Sequence, residues 1–234
     1  MTARHLTAEE ELPPRRTSIA CLKRLPSYLQ MLRSLQKEGR EYVSSAVLAE
    51  VHNLEPVIVR KDLAETGVVG TPRLGFPIDP LVASIEQFLG WDHPTRAVVV
   101  GCGNLGTALL GYNRFGAMGL ELVGAFDSDP SKAGMEIQGR KVQPMGELAS
   151  FVAARGIILG LLATPADAAQ EAASLMAQAG IRGIWNFAPV KLRLPDGVVV
   201  QKEDLAEGLA VLLHRVHQSG PFALSSTQFQ STTS

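Results

Sequence analysis

The residues with the most specific chemistry form one run, Ala97-Val-Val-Val-Gly101-Cys102-Gly103-Asn104-Leu105-Gly106-Thr107, followed by a second apolar run that closes on Asp127. That order reads as a strand, a tight glycine turn, a helix N-terminus and a carboxylate ending the next strand, which together suit the ADP half of a dinucleotide. Gly101 turns the chain off the strand, Gly103 lets backbone approach a pyrophosphate, and Gly106 lets the helix pack close to the sheet. The phosphates then rest on helix N–H groups that have no intrahelical acceptor. Asp127 falls about 20 residues past Gly106, the spacing at which an acid reaches the adenosine ribose 2′-hydroxyl. No Arg follows it in Phe126-Asp127-Ser128-Asp129, so a 2′-phosphate would be repelled and NAD(H) is favoured over NADP(H). A glycine fingerprint alone also fits a tight turn without a ligand; here all five parts occur in order.

The elements that would position these groups follow from the apolar pattern. Beyond Asp127, Pro130-Ser131-Lys132-Ala133-Gly134 is a loop that keeps Ser128 and Lys132 beside the acid. A helix is expected over 147–155 and an apolar strand over 156–162. The strand ends in Ala163-Thr164-Pro165, a small-residue loop at a strand C-terminus, where open α/β sheets bind ligands; the nicotinamide end is expected there. A helix over 167–179 and a strand over 181–185 lead into Asn186-Phe187-Ala188-Pro189, which closes the same crevice. Core packing accounts for Trp185 and Phe187 equally well. A further strand covers 198–200, and Asp204 caps a helix with apolar residues at 205, 209, 212, 213 and 216. That stripe needs a partner surface, which its own sheet could supply.

At 234 residues, with 46% hydrophobic residues and a net charge of −1, the chain reads as a globular protein of two small domains. No apolar run reaches the length of a membrane span, and residues 1–16 lack the apolar core of a signal peptide, so a cytoplasmic location is expected. Its two cysteines, Cys21 and Cys102, are too few for a disulfide framework or a zinc site, and no metal is expected. Cys102, at a helix N-terminus, has the setting that lowers a thiol pKa, although a small residue that fits the turn is the plainer explanation.

Basic residues outnumber acids between Arg15 and Ile78, and the order of elements there is more telling than the charge. A helical stripe runs from Pro26 to a stop at Gly39. Ser44 or Ser45 can cap a short helix over 46–51, His52-Asn53 reads as a turn, and Pro56 opens a third helix that ends at Gly67. Two short helices around a tight turn, the second carrying adjacent cations, form a helix-turn-helix. Val59 and Leu63 would face the core, leaving Val57, Arg60 and Lys61 for a DNA groove. Arg60 suits a guanine edge, and Lys23, Arg24 and Lys61 suit phosphates. Tyr28, Ser44 and Ser45 complete the expected DNA-facing set together with Arg73, at the tip of a Gly-rich wing over 67–76. A three-helix interaction module with an ordinary charged surface has the same spacing.

These segments resemble the Rex family of NADH-sensing transcriptional repressors. The likeness is carried by Leu22-Lys-Arg-Leu-Pro26-Ser-Tyr28, Val43-Ser-Ser45, Val59-Arg-Lys-Asp-Leu63, Gly101-Cys-Gly-Asn-Leu-Gly106, Ala125-Phe-Asp127-Ser-Asp-Pro130, Pro165-Ala-Asp-Ala-Ala-Gln170 and Trp185-Asn-Phe-Ala-Pro189-Val. The resemblance implies a homodimer of winged-helix and Rossmann domains with a C-terminal helix exchanged between protomers, which leaves operator DNA when NADH binds. The wing departs from the family pattern, with Ala64-Glu-Thr66-Gly67 and Thr71-Pro-Arg73-Leu where the family has Ser-Tyr-Phe-Gly and a Lys-Arg-Gly tip, and with Phe76 in place of a tyrosine. A less basic wing weakens minor-groove and phosphate contacts.

The expected fold is therefore α/β: a winged helix-turn-helix over 15–80, a doubly wound Rossmann-like parallel sheet over 81–203 and a domain-swapped helix over 204–218, between disordered ends at 1–14 and 219–234. A dehydrogenase would need a proton-transferring group beside the nicotinamide, and none of the five histidines falls in a strand-end loop of the Rossmann half. Lys191 is the nearest other acid. A non-catalytic sensor is favoured, with no catalytic residue. An NAD-dependent oxidoreductase whose N-terminal helices only dimerise is the alternative, and a coenzyme A-binding module competes for the same glycine loop.

Overall fold

The computed structural model describes residues 17–218, so the expected disordered ends lie outside the described residues. The described chain forms two compact units. One runs from Thr17 to Pro94 and takes in Ala117–Gly119; the other comprises Thr95–Gly116 and the chain from Leu120 onward.

The first unit is built on α1 (Ile19–Lys37), β1 (Tyr42–Val43), α2 (Ser45–Val51), α3 (Pro56–Glu65), β2 (Phe76–Pro77) and α4 (Ile78–Leu89). Ser18 caps α1 by accepting from the Cys21 N–H at 3.1 Å, so the helix begins before Pro26, where the sequence pattern had its start. Pro26 lies inside and has no N–H to give the preceding turn. The helix runs through it because Cys21, Leu25, Tyr28, Leu29 and Leu32 all lie on its buried face. Ser44, rather than Ser45, caps α2, and Asn53 takes a left-handed conformation (φ 50°) in the turn to α3. Pro56 occupies the first turn of α3, where a missing N–H costs nothing.

The expected boundary after residue 80 is corrected by α4. Ile78, Leu81 and Ile85 are fully buried among Leu25, Leu32, Leu48, Val59 and Leu63, so the helix belongs to the first core, and the unit ends only beyond Gly90 and Trp91. The wing is reduced to a tight hairpin, bridged between Thr71 and Gly75, that feeds β2 into antiparallel pairing with β1. Arg73 sits at its tip, exposed, at φ 66°.

The second unit has β3 (Thr95–Val100), α5 (Asn104–Leu110), β4 (Leu120–Asp127), β5 (Glu136–Ile137), β6 (Arg140–Pro144), α6 (Leu148–Arg155), β7 (Leu159–Leu162), α7 (Ala166–Gln178), β8 (Gly183–Asn186), β9 (Val199–Lys202) and α8 (Leu205–Gln218). The sheet order is β5-β6-β4-β3-β7-β8-β9, every pairing parallel except β5 with β6. The six parallel strands thus follow the doubly wound order, which reverses between β3 and β7 and opens a crevice beyond their C-terminal ends. Central strands covered on both faces read as continuous apolar runs, and Ala97, Val98, Val99 and Val100 are buried accordingly. One face is filled by Phe126, Leu148, Val152, Ala169, Ala173 and Met176.

Asp204 caps α8 through the Ala206 N–H at 3.0 Å. Leu209, Leu212, Leu213 and Val216 remain about half exposed, at 46–58%. Their own sheet does not cover the stripe.

Candidate functional site

Gly101 follows β3 and Ala163 follows β7, so the two loops flank the switch point. Gly101 has φ 96°, and a Cβ there would lie 2.6 Å from the Ala163 carbonyl oxygen; a Cβ on Gly106 would run into the Gly101 carbonyl. The close fit of loop to helix therefore excludes any side chain at both positions. Around Gly103 the space is open, which leaves its backbone free to meet a ligand, and no side chain caps α5.

A cavity of about 660 Å³ opens from this turn. Of the expected ligand residues, Gly101, Gly103, Asp127, Ser128, Lys132, Ala163, Thr164 and Pro165 line it. It is also lined by residues the sequence reading missed: Pro144 at the end of β6, Met145 and Gly146 beyond it, and, from α7, the carboxylates Asp167 and Glu171 with Ala168, Ala172 and Leu175. The last three recur at helical spacing on the α7 face above the strand ends, which is the signal that could have found them. The apolar side chains among these, Met145, Ala168, Ala172 and Leu175, suit a flat base, and the glycine turn with its adjoining acid suits a pyrophosphate and ribose. The residues fit the ADP half of NAD.

Asp127 is 8% exposed. Its Oδ2 accepts from the Cys102 N–H at 2.7 Å and from Lys132 Nζ at 2.8 Å, and its Oδ1 accepts from the Asp129 N–H at 2.9 Å. Burial pushes this carboxyl up, but the Lys132 ammonium and the two backbone donors outweigh it and hold it below the usual carboxylate range. Ionised Asp127 still has acceptor capacity on Oδ1 for a ribose hydroxyl.

Other expected ligand residues lie elsewhere. Asn104 and Leu105 are exposed on the first turn of α5, and Gly106 is buried beneath it. The Cys102 thiol, 5% exposed, points to the Phe126 carbonyl at 3.5 Å, and burial together with the Asp127 charge pushes it up to about 11. The expected activating setting is therefore reversed. Asn186 spends its side chain on its own loop, donating to the Val190 carbonyl at 3.0 Å and accepting from the Ala188 N–H at 2.9 Å. Ala188 is buried and Pro189 exposed. Phe187 packs on Trp185 with ring centroids 4.9 Å apart, and Trp185 meets Phe115 at 5.9 Å.

In the first unit, α3 turns Val59 and Leu63 inward and leaves Val57, Arg60 and Lys61 exposed, as its periodicity requires. Arg60 Nη1 reaches Ser45 Oγ at 3.4 Å, and the Ser44 hydroxyl oxygen accepts from the Val47 N–H at 3.2 Å. Lys23 is exposed. Two members of the expected DNA-facing set are corrected. Tyr28 has no exposed surface; its hydroxyl donates to Asp62 at 2.9 Å and its ring meets His52 edge-on at 4.9 Å. Arg24 directs its guanidinium at Asp62 through bonds of 2.6 and 2.7 Å, so its first task is to neutralise a buried carboxylate. Among the described residues no cluster of His, Cys, Asp and Glu could hold a metal, and no helix is long and apolar enough to cross a membrane.

A helix-turn-helix unit and a doubly wound nucleotide-fold unit on one chain define a class of two-domain protein. Two family models match its parts: one described as "Putative DNA-binding protein N-terminus" over residues 17–64, and one described as "CoA binding domain" over 92–190. The redox-sensing transcriptional repressor Rex of Treponema denticola is 47% identical over 82% of this chain and 91% of its own length; that of Desulforamulus reducens is 40% identical over 82% and 92%. Crystal structures of RSP, a Rex-family repressor, superpose with a TM-score of 0.79 at 31% identity over 87% of this chain and 95% of that one. For RSP in complex with β-NAD⁺ and operator DNA the values are 0.81, 32%, 87% and 94%. The chain belongs to the Rex family of redox-sensing transcriptional repressors.

Proposed function

We propose that this chain is a cytoplasmic homodimer that binds palindromic operator DNA, represses transcription and releases the DNA when NADH fills the cavity of its nucleotide-fold unit. The observation that carries this reading is the cavity itself, bounded by a glycine turn with no room for a side chain at Gly101 or Gly106 and by an ionised Asp127. RSP, the Rex-family repressor of similar fold, has been crystallised with β-NADH and with β-NAD⁺ plus operator DNA.

Each group has a proposed part. Gly101, Gly103 and the first turn of α5 receive the pyrophosphate. Asp127, held by Lys132 and flanked by Ser128, receives the adenosine ribose, and the loops at 163–165 and 186–189 serve the nicotinamide end, Thr164 on the side toward the glycine turn and its pyrophosphate. The base lies between Met145 and Leu175. Arg60, with Val57 beside it on the recognition helix, reads base edges; Lys23, Lys61, Ser44 and Ser45 contact phosphates, and Arg73 reaches toward the minor groove from the wing. The half-exposed stripe of α8 supports a second protomer as its cover, in keeping with an exchanged helix.

NADH and NAD⁺ differ in the charge of one ring, and a positive ring costs more to bury in an apolar pocket than a neutral one. The switch is then a shift between two dimer states, and carrying it from nearly all DNA-competent to nearly all released needs about 5.5 kcal/mol of preference for the released state. Adding NADH to a fluorescently labelled operator complex tests the proposal: the complex should dissociate with NADH and persist with NAD⁺, and unchanged binding would overturn it. In a spectrophotometric screen, turnover of hydroxy acids or aldehydes with the dinucleotide should stay at background.

A further inference from the structure

Thr164 Oγ1 is, among the described residues, the one buried side-chain polar atom without a hydrogen-bond partner. Native proteins pair such groups, and a hydroxyl stranded in a wall costs stability that its isosteric apolar replacement does not. Thr164 stands in the loop after β7 and lines the cavity beside the glycine turn; its Cγ2 lies 2.9 Å from where a Cβ on Gly101 would be. The methyl therefore faces the turn while the hydroxyl is turned into the protein. Nearby backbone donors are already spent: the Gly101 N–H on the Phe126 carbonyl and the Ala163 N–H on the Val100 carbonyl, each at 2.8 Å. The Thr164 O–H is an unspent donor on this wall.

We propose that Thr164 is a binding residue for the dinucleotide pyrophosphate that works by exchange of rotamer. Without ligand its hydroxyl is stranded; with a pyrophosphate on the glycine turn, one step about χ1 exchanges Oγ1 for Cγ2 and lets the O–H donate to a phosphate oxygen. The assignment rests on the NADH reading above and adds to it a group whose free-state cost favours the bound state. It carries a sign that an ordinary contact lacks: removing the hydroxyl weakens binding and stabilises the empty protein.

Thr164→Val keeps the shape and removes the hydroxyl, and Thr164→Ser keeps the hydroxyl. Calorimetric titration of the full chain with NADH and with ADP-ribose, together with thermal unfolding without ligand, reads both effects. Thr164→Val should weaken both ligands about tenfold, the worth of a hydrogen bond to a charged group, and raise the ligand-free Tm. Thr164→Ser should bind within about twofold of the unaltered chain, since the bond survives. Undiminished binding by Thr164→Val, a loss confined to NADH, or a lowered ligand-free Tm each overturns the assignment while leaving the NADH reading in place. Failure of the unaltered chain to bind either ligand overturns both.

Discussion

Arg24 Nε and Nη2 hold the two carboxylate oxygens of Asp62 at 2.6 and 2.7 Å, joining the first helix of the N-terminal unit to the helix that presents Arg60 and Lys61. Asp62 is only 4% exposed and also accepts from Tyr28 Oη, so a buried charge is neutralised and its acceptor sites largely filled. Truncating one partner of a buried pair strands the other charge, and Arg24→Ala should destabilise the unit by about 3 kcal/mol. Tyr28→Phe, which removes one hydrogen bond to the same carboxylate, should cost about 1.5 kcal/mol. Urea unfolding followed by helix signal would read both, and equal stability of Arg24→Ala and the unaltered chain would remove the pair from the account of the fold.

The same pair sets an acid limit. Burial raises the Asp62 carboxyl, but Arg24 and Tyr28 together bring it below its ordinary value. A group depressed in the folded state contributes stability that is present above its unfolded value, about 3.9, and is lost as pH falls through the folded one. Asp127 behaves alike, through Lys132 and two backbone donors. Acid unfolding of the unaltered chain should therefore begin below about pH 4, and Asp62→Asn should flatten that limb of the curve. A pH-stability profile shared by the two proteins would contradict this.

Asp127→Ala should weaken NADH binding about tenfold, because a ribose hydroxyl loses a charged acceptor. Operator binding by the ligand-free protein should be unchanged, since the carboxylate lies in the other unit. An operator complex of the variant that still dissociates at the usual NADH concentration would show that the ribose is held elsewhere.

Arg60→Ala should relax base preference at one position by about 1–3 kcal/mol, whereas Lys23→Ala should weaken all sequences alike and reduce the salt dependence of binding by about one counterion. Selection from a random duplex pool and affinity measured across a salt series separate the two. Arg60→Ala protein that selects the same sequences as the unaltered chain would move the reading role to another residue.

The legible parts of this molecule were those where one periodicity met one kind of punctuation. The run 97–106 announces a buried strand and a glycine turn because both faces of the strand are covered and three positions exclude or dispense with a side chain. Strand β6, Arg140–Pro144, was not legible: it lies toward the sheet edge and buries only Val142, so Arg-Lys-Val-Gln-Pro carries no apolar signature, and the cavity wall that follows it was lost with it. The place of Tyr28 was not legible, because an amphipathic tyrosine suits a core stripe or a surface contact alike, and only the fold brings Asp62, distant in sequence, to its hydroxyl. The domain boundary was misplaced for a similar reason, since the pattern of α4 shows an amphipathic helix without saying which core it faces.

The cysteines make the last prediction. A thiol at a helix N-terminus is ordinarily more acidic and more reactive. Cys102 is placed there, yet burial and the Asp127 carboxylate beside it raise its pKa to about 11; burial and Asp62 do the same for Cys21. At pH 8 both should be almost wholly protonated and should react with a thiol-directed disulfide reagent only as fast as the protein opens, with two equivalents released on denaturation. Because the folded state binds these protons more tightly than the unfolded one, stability should also fall as pH rises from about 9 towards 11. A rapid stoichiometric reaction of native protein at pH 8, lost in Cys102→Ser, would instead mean that the helix terminus governs this thiol, and that Asp127 is engaged by Lys132 too completely to influence its neighbour.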